Sequence, residues 1–126
     1  MRLNGYIFLI IAVLATSCGE YEKILKSTDY ELKKEKALEY YEQGKFVKAT
    51  ELLTMVIPRY RATEEAEYLS WISSNCYYGL RDYMTAAAAF RNFADFYPYS
   101  EHAEEATFKA AYCDYLQAPR PSLDQA

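Results

Sequence analysis

Few residues in this chain could do chemistry. There is one histidine, His102, and there are three cysteines, Cys18, Cys76 and Cys113. A single imidazole beside a helix start lacks a second strong ligand for a metal, and no Gly-rich phosphate loop appears. Cys76 and Cys113 have no basic neighbour to draw out a thiolate, so they read as buried structural thiols. They fall at equivalent places in successive helical repeats, and such positions usually sit beyond the about 7 Å reach of a disulfide. The sequence therefore offers no catalytic residue, metal site or cofactor site, and the expectation is that the protein is not an enzyme.

Aromatic side chains are abundant instead: the 126 residues include fourteen tyrosines, six phenylalanines and one tryptophan. Tyr68, Trp71, Asn75 and Tyr78 recur at helical spacing, and Phe108, Tyr112 and Tyr115 form a matching stripe further on. Tyr41, with Leu38 and Lys34, continues the pattern upstream. Rings on one helical stripe offer large contact area at low entropic cost, and tyrosine hydroxyls tolerate water. If these stripes face a groove lined by the helices that carry them, they form a ladder suited to an extended peptide with aromatic and apolar side chains. The competing reading makes them inter-helix core, since Leu69, Ile72 and Cys76 form a second apolar stripe one residue away. Lys33, Lys34, Lys36, Lys45 and Lys48 crowd one region, either as a site for a terminal carboxylate or as a solvated face. Glu64-Glu65 and Glu104-Glu105 sit in first helical turns, where carboxylates favour the helix dipole.

The elements that must carry these residues are helices. Thr28-Asp29-Tyr30-Glu31 reads as a capping box with Thr28 as N-cap. A helix runs from there to about Gln43, where Gly44 ends it. Further helices are expected over 46–57, stopped by Pro58, over 64–79, over 83–96, stopped before Pro98, and over 101–116. Pro119 and Pro121 break the chain, and 122–126 could open a sixth helix. A shift of 37 residues brings Tyr41, Tyr78 and Tyr115 into coincidence. The same shift sets Cys76 on Cys113, Phe46 on Tyr83, Ala49 on Ala86, Leu53 on Phe90, Val56 on Phe93 and Tyr60 on Tyr97. Paired helices at this period mark an α-solenoid, in which each hairpin buries its apolar face only against its neighbours. The net charge of −4 argues against a nucleic-acid partner.

The amino end reads differently. Residues 6–15 form an apolar run of ten, too short for a bilayer span of about 20 residues but suited to a secretory signal. The small residues Ala15-Thr16-Ser17 follow, and then Cys18. That order resembles a bacterial lipoprotein signal, which implies removal of residues 1–17 and lipidation of Cys18. Several acyl chains together hold a protein stably on a membrane. Residues 18–27 would be an extended tether reaching about 30 Å, with a helical repeat domain over 28–126.

The segment Cys76-Tyr77-Tyr78-Gly79-Leu80-Arg81-Asp82-Tyr83-Met84-Thr85-Ala86, followed by Phe90, Phe93 and Tyr97-Pro98, resembles a tetratricopeptide repeat. Ser70 and Ser73, like Lys33 and Lys36, stand where that repeat usually carries Leu. The fold expected is thus all-α, a tetratricopeptide-like α-solenoid of stacked helical hairpins with about two and a half repeats. Together with the lipoprotein-like start from Ser17 to Ser27 and the tail Ala118-Pro119-Arg120-Pro121-Ser122-Leu123-Asp124-Gln125, the whole chain resembles the BamD family of outer-membrane β-barrel assembly lipoproteins. That resemblance implies an amino-terminal part of a longer array, lipid-anchored at the periplasmic face of the outer membrane. It implies a groove (Tyr41, Tyr68, Trp71, Asn75, Tyr78, Phe108, Tyr112 and Tyr115) for unfolded outer-membrane protein segments, with a BamA-type β-barrel insertase as partner. The alternative is another periplasmic tetratricopeptide scaffold, for instance one organising cell-wall enzymes. A last hairpin lacking its second helix should fray from about Ala103 onward or associate through its open face.

Overall fold

The computed structural model describes residues 2–119; the expected start of a helix within 122–126 lies outside them. Among the described residues there are six helices and no strand: α1 (Arg2–Lys26), α2 (Tyr30–Glu42), α3 (Phe46–Tyr60), α4 (Glu65–Gly79), α5 (Tyr83–Phe96) and α6 (Ala103–Gln117). Helices α2 and α3 form one hairpin and α4 and α5 the next. Helix α6 packs along α5 as the first helix of a third. The chain is an α-solenoid of stacked helical hairpins.

The internal repeat is visible in both packing and backbone. Ala49 and Ala86, Leu53 and Phe90, and Cys76 and Cys113 are completely buried pairs, and Val56 and Phe93 are buried with them. Small alanines let neighbouring helices approach, and the larger residues one and two turns on fill the seam between hairpins. The turns repeat too. Gly44 N–H donates to the Tyr41 carbonyl and Lys45 N–H to that of Tyr40. At the same offset, Arg81 N–H donates to Tyr78 and Asp82 N–H to Tyr77. The turns between hairpins match likewise, with Thr63 N–H on Tyr60 and Ser100 N–H on Tyr97.

The equivalence extends to a strained residue. Gly44 adopts φ 72°, and its counterpart Arg81 adopts φ 59°. The left-handed region suits glycine and costs a side-chain-bearing residue about 1–2 kcal/mol. Arg81→Gly is therefore expected to stabilise the protein by about 0.5–1 kcal/mol, after allowance for the freer unfolded chain. Urea denaturation followed by circular dichroism checks this, and an unchanged or lower midpoint would contradict it. Two residues earlier, Gly79 makes room for a neighbouring ring, which would have to shift for any larger residue. A Cβ there would lie 2.5 Å from the Phe46 ring, which occupies the space against the turn.

Three expectations about boundaries need correction. The cap of α2 is Asp29 and not Thr28: the Asp29 carboxylate accepts from Leu32 N–H at 3.0 Å. One residue further along, the carboxylate lies over the third free amide of the helix. Pro58 does not stop α3, which runs on to Tyr60. Proline has no N–H for the turn before it, yet its fixed φ is helical, so the last turn can close over it. The third correction concerns residues 18–27. They are not an extended tether, because α1 continues through Lys26. Tyr21, Ile24 and Leu25 lie at helical spacing and pack against the core, with Ile24 buried. The folded body therefore begins near Tyr21 and not at Thr28.

Candidate functional site

The first helices of the three hairpins, α2, α4 and α6, carry the aromatic stripes, and lysines tie them side by side. Lys34 on α2 pairs with Glu65 of α4 at 2.9 Å and with Glu31 of its own helix at 2.7 Å. The hydrogen bonds that Lys34 donates to Glu31 and Glu65 raise its ammonium above its ordinary pKa, and Lys34 and then Tyr60 hold Glu31 below its own. Lys109 on α6 donates to the Asn75 side-chain carbonyl at 2.7 Å and pairs with Glu105 at 3.0 Å.

The eight ladder residues do not form one surface. Trp71 and Asn75 are buried. Trp71 packs on Phe93 and Phe90 of α5, with centroids at 5.4 and 5.7 Å. His102 stacks flat on it at 4.5 Å, 4° from parallel. Tyr41 and Tyr78 are half-buried: Tyr41 lies against Phe46, and Tyr78 meets Tyr83 and Phe90 edge-on. Burial is the main cause that raises the pKa of both phenols. For these four residues the structure favours the inter-helix core. The other stripe, Leu69, Ile72 and Cys76, is core throughout.

Four rings remain open. Tyr68 stands exposed on α4, and Phe108, Tyr112 and Tyr115 run down one side of α6. Phe108 and Tyr112 are parallel within 5° at 6.2 Å, and Tyr112 and Tyr115 follow at the same spacing. The repeat offset explains the contrast. Phe108 is the counterpart of Trp71 and Tyr115 that of Tyr78. Trp71 and Tyr78 are covered by α5 and by Lys109, while Phe108 and Tyr115 are 68% and 73% exposed. Equivalent rings thus change from core to surface according to what packs over them.

The five lysines do not gather into one site, nor are they a simple solvated face. Lys33 is buried and donates to the Leu25 carbonyl at 2.8 Å, beside Met55 Sδ and the Tyr30 ring. A cation at the end of α1 satisfies a carbonyl that the helix leaves free and complements its dipole. Lys36 pairs with Glu39, and Lys45 and Lys48 lie over the Tyr40 ring, Lys48 also over Tyr21. Tyr21 donates to the Glu51 carboxylate, which fastens α1 to α3.

Sequence reasoning missed Lys109 and the stacking of His102 on Trp71. Lys109 inserts its ammonium among Trp71, Tyr78 and Phe90, 5.1 to 5.5 Å from each centroid. The signal was present, since Lys109 falls on the buried Ile72 in the repeat alignment. A charged residue at a core position needs partners, and Asn75, Glu105 and three ring faces supply them.

Cys76 and Cys113 are free and buried, and burial pushes the Cys76 thiol up to about 11 and raises that of Cys113. A thiol held in that direction carries little thiolate at neutral pH. Cys18 is free and exposed on α1. Among the described residues no cluster of three or more His, Cys, Asp or Glu side chains is placed to hold a metal, and no helix is long and apolar enough to cross a membrane. No family model matches this chain, and no curated protein matches its sequence.

Proposed function

We propose that this protein is a lipid-anchored binding scaffold of the BamD kind, facing the periplasm at the outer membrane. In this reading it holds unfolded β-barrel precursor segments for a BamA-type insertase by reversible contact, without chemistry. The observation that carries the reading is the exposed row Phe108, Tyr112 and Tyr115 on α6. Stacked rings on a helix are a rigid apolar strip at which an extended segment loses little side-chain freedom of its host. The side chains of residues 6–11 are exposed along α1, ahead of the exposed Cys18, which supports a leader that contributes nothing to the folded core. With acyl chains on Cys18, only Gly19 and Glu20 separate the anchor from the packed Tyr21. At about 1.5 Å per helical residue, the body then rests against the headgroups and does not hang free.

Photocrosslinkers at Tyr115 and Tyr68, with Cys18→Ser as a second variant, test this reading. The expected results are crosslinks from Tyr115 to unfolded β-barrel precursors, co-purification of the insertase, and release of Cys18→Ser from the membrane. Capture of peptidoglycan synthases in place of the insertase would favour the cell-wall scaffold. Retention of Cys18→Ser on the membrane would end the anchor assignment. One observation favours a second reading of the same row. Because Phe108 and Tyr115 match the covered Trp71 and Tyr78, the row also has the form of a seat for a further helix pair. Crosslinks from Tyr115 to a folded helical partner or a second copy would favour it.

A further inference from the structure

A cleft of about 480 Å³ opens between α3 and α5, with α4 as its floor. It lies on the side of α4 roughly opposite Tyr68 and Asn75, since residues five apart on a helix point in widely different directions. Ligand sites usually fall in this size range. The floor is made by Ser70 and Ser73, with Phe93 and Phe96 of α5 on one wall and Arg61 beyond the end of α3 at the mouth. Serines stand there in place of the leucines of the tetratricopeptide pattern, and space that leucine side chains would fill is left open.

The chemistry of the lining is asymmetric. No carboxylate lines the cleft, although the chain carries eighteen acidic residues and a net charge of −4. Its one formal charge is the Arg61 guanidinium. Among the described residues Arg61 makes no ion pair, and neither its side chain nor the Ser70 hydroxyl, the Ser73 hydroxyl or the Asn92 amide makes a hydrogen bond within the chain. Ser74, by contrast, spends its hydroxyl on the Ser70 carbonyl at 2.9 Å. Phe96 stands 80% exposed at the rim. An apolar cavity with open donors around it and a single unpaired cation at its mouth matches an apolar side chain that has a carboxylate beside it.

We propose that the α3–α5 cleft is a second docking site, distinct from the aromatic row on α6, that receives an acidic peptide segment of a partner protein. One bulky apolar side chain of the segment enters against Phe93, and a neighbouring carboxylate pairs with Arg61. The serine and asparagine groups take up the hydrogen bonds of the peptide backbone.

The test is titration of the full chain, in a mild detergent, with the capped peptide acetyl-Gly-Asp-Phe-Glu-Gly-amide, followed by amide chemical shifts. Saturable shifts confined to 61 and to the 70–74 and 92–97 segments are expected, with Kd below about 1 mM. Arg61→Glu should weaken binding at least about tenfold, as should replacing both acidic residues of the peptide by lysine. Ser70→Leu with Ser73→Leu should fill the cleft and abolish binding, while Tyr115→Ala leaves it unchanged. Arg61 is exposed, so its variant keeps the test decisive should the leucine pair fail to fold. No cleft shifts at 1 mM, equal binding of the lysine peptide, or full affinity in Arg61→Glu would each overturn the proposal.

Discussion

Phe90→Ala is expected to cost about 3–5 kcal/mol, a large share of the about 5–15 kcal/mol that a domain usually has. Phe90 has no solvent exposure and lies where three helices meet. Its ring touches Trp71 and Tyr78 of α4 and lies under the Lys109 ammonium of α6. Truncation removes the transfer energy of the ring and leaves a cavity that rigid hairpins on both sides cannot collapse into. It also takes one of the three ring faces from a cation whose charge is held between hairpins. The urea midpoint should fall steeply with the slope little changed. A loss under about 1 kcal/mol would mean that α4, α5 and α6 do not share one packed seam.

Trp71→Ala is expected to be similarly costly, about 3–5 kcal/mol, and its comparison with Tyr115→Ala separates folding from binding. Trp71 is 8% exposed and is enclosed by Phe90, Phe93, His102 and Lys109. Its removal unseats both the turn before α6 and the lysine that joins α6 to α4. Tyr115, 73% exposed, should tolerate alanine within about 0.5 kcal/mol. Precursor capture should nevertheless fall in Tyr115→Ala if the proposed function holds. Thermal melting with the single tryptophan as reporter gives the stability of Tyr115→Ala, and circular dichroism gives that of both. A Trp71→Ala protein as stable as the parent would return Trp71 to the surface ladder.

Fraying of α6 has an answer in the same contacts. One side of the helix is sealed: Ala106, Ala110 and Cys113 are buried against α5, and Arg91 pairs with Asp114. The other side is the open aromatic row. Association through the row is therefore the more direct consequence of the exposed face, and hydrogen exchange over 103–116 at low and high protein concentration distinguishes it from fraying.

Much of the architecture was legible in the residues because it depends on short-range rules. The 37-residue offset, the alanines at close approaches, the glycine at Gly44 and the carboxylates in first turns act within one hairpin or between adjacent ones. The small departures were local contests. Asp29 won the cap from Thr28 because its carboxylate reaches the amide of Leu32. The short stripe Tyr21, Ile24 and Leu25 was overlooked beside the stronger apolar run before it, and it turned a supposed tether into packed helix.

By itself the sequence determined the helices, their pairing and the inward stripe of each hairpin, since periodicity dictates which faces must be hidden from water. The aromatic ladder was another matter. Tyr41, Tyr78 and Tyr115 are the same residue at the same phase of the repeat, yet two are half-buried and the third stands in solvent. Only the tertiary structure decided this, because exposure depends on which neighbouring helix packs over a ring, and not on the residue or its spacing. The same holds for the serine-floored cleft and for Lys109. Each arises where successive helices meet, and although the departures from the repeat pattern at Ser70, Ser73 and Lys109 are visible in the sequence, how the helices pack around them is not.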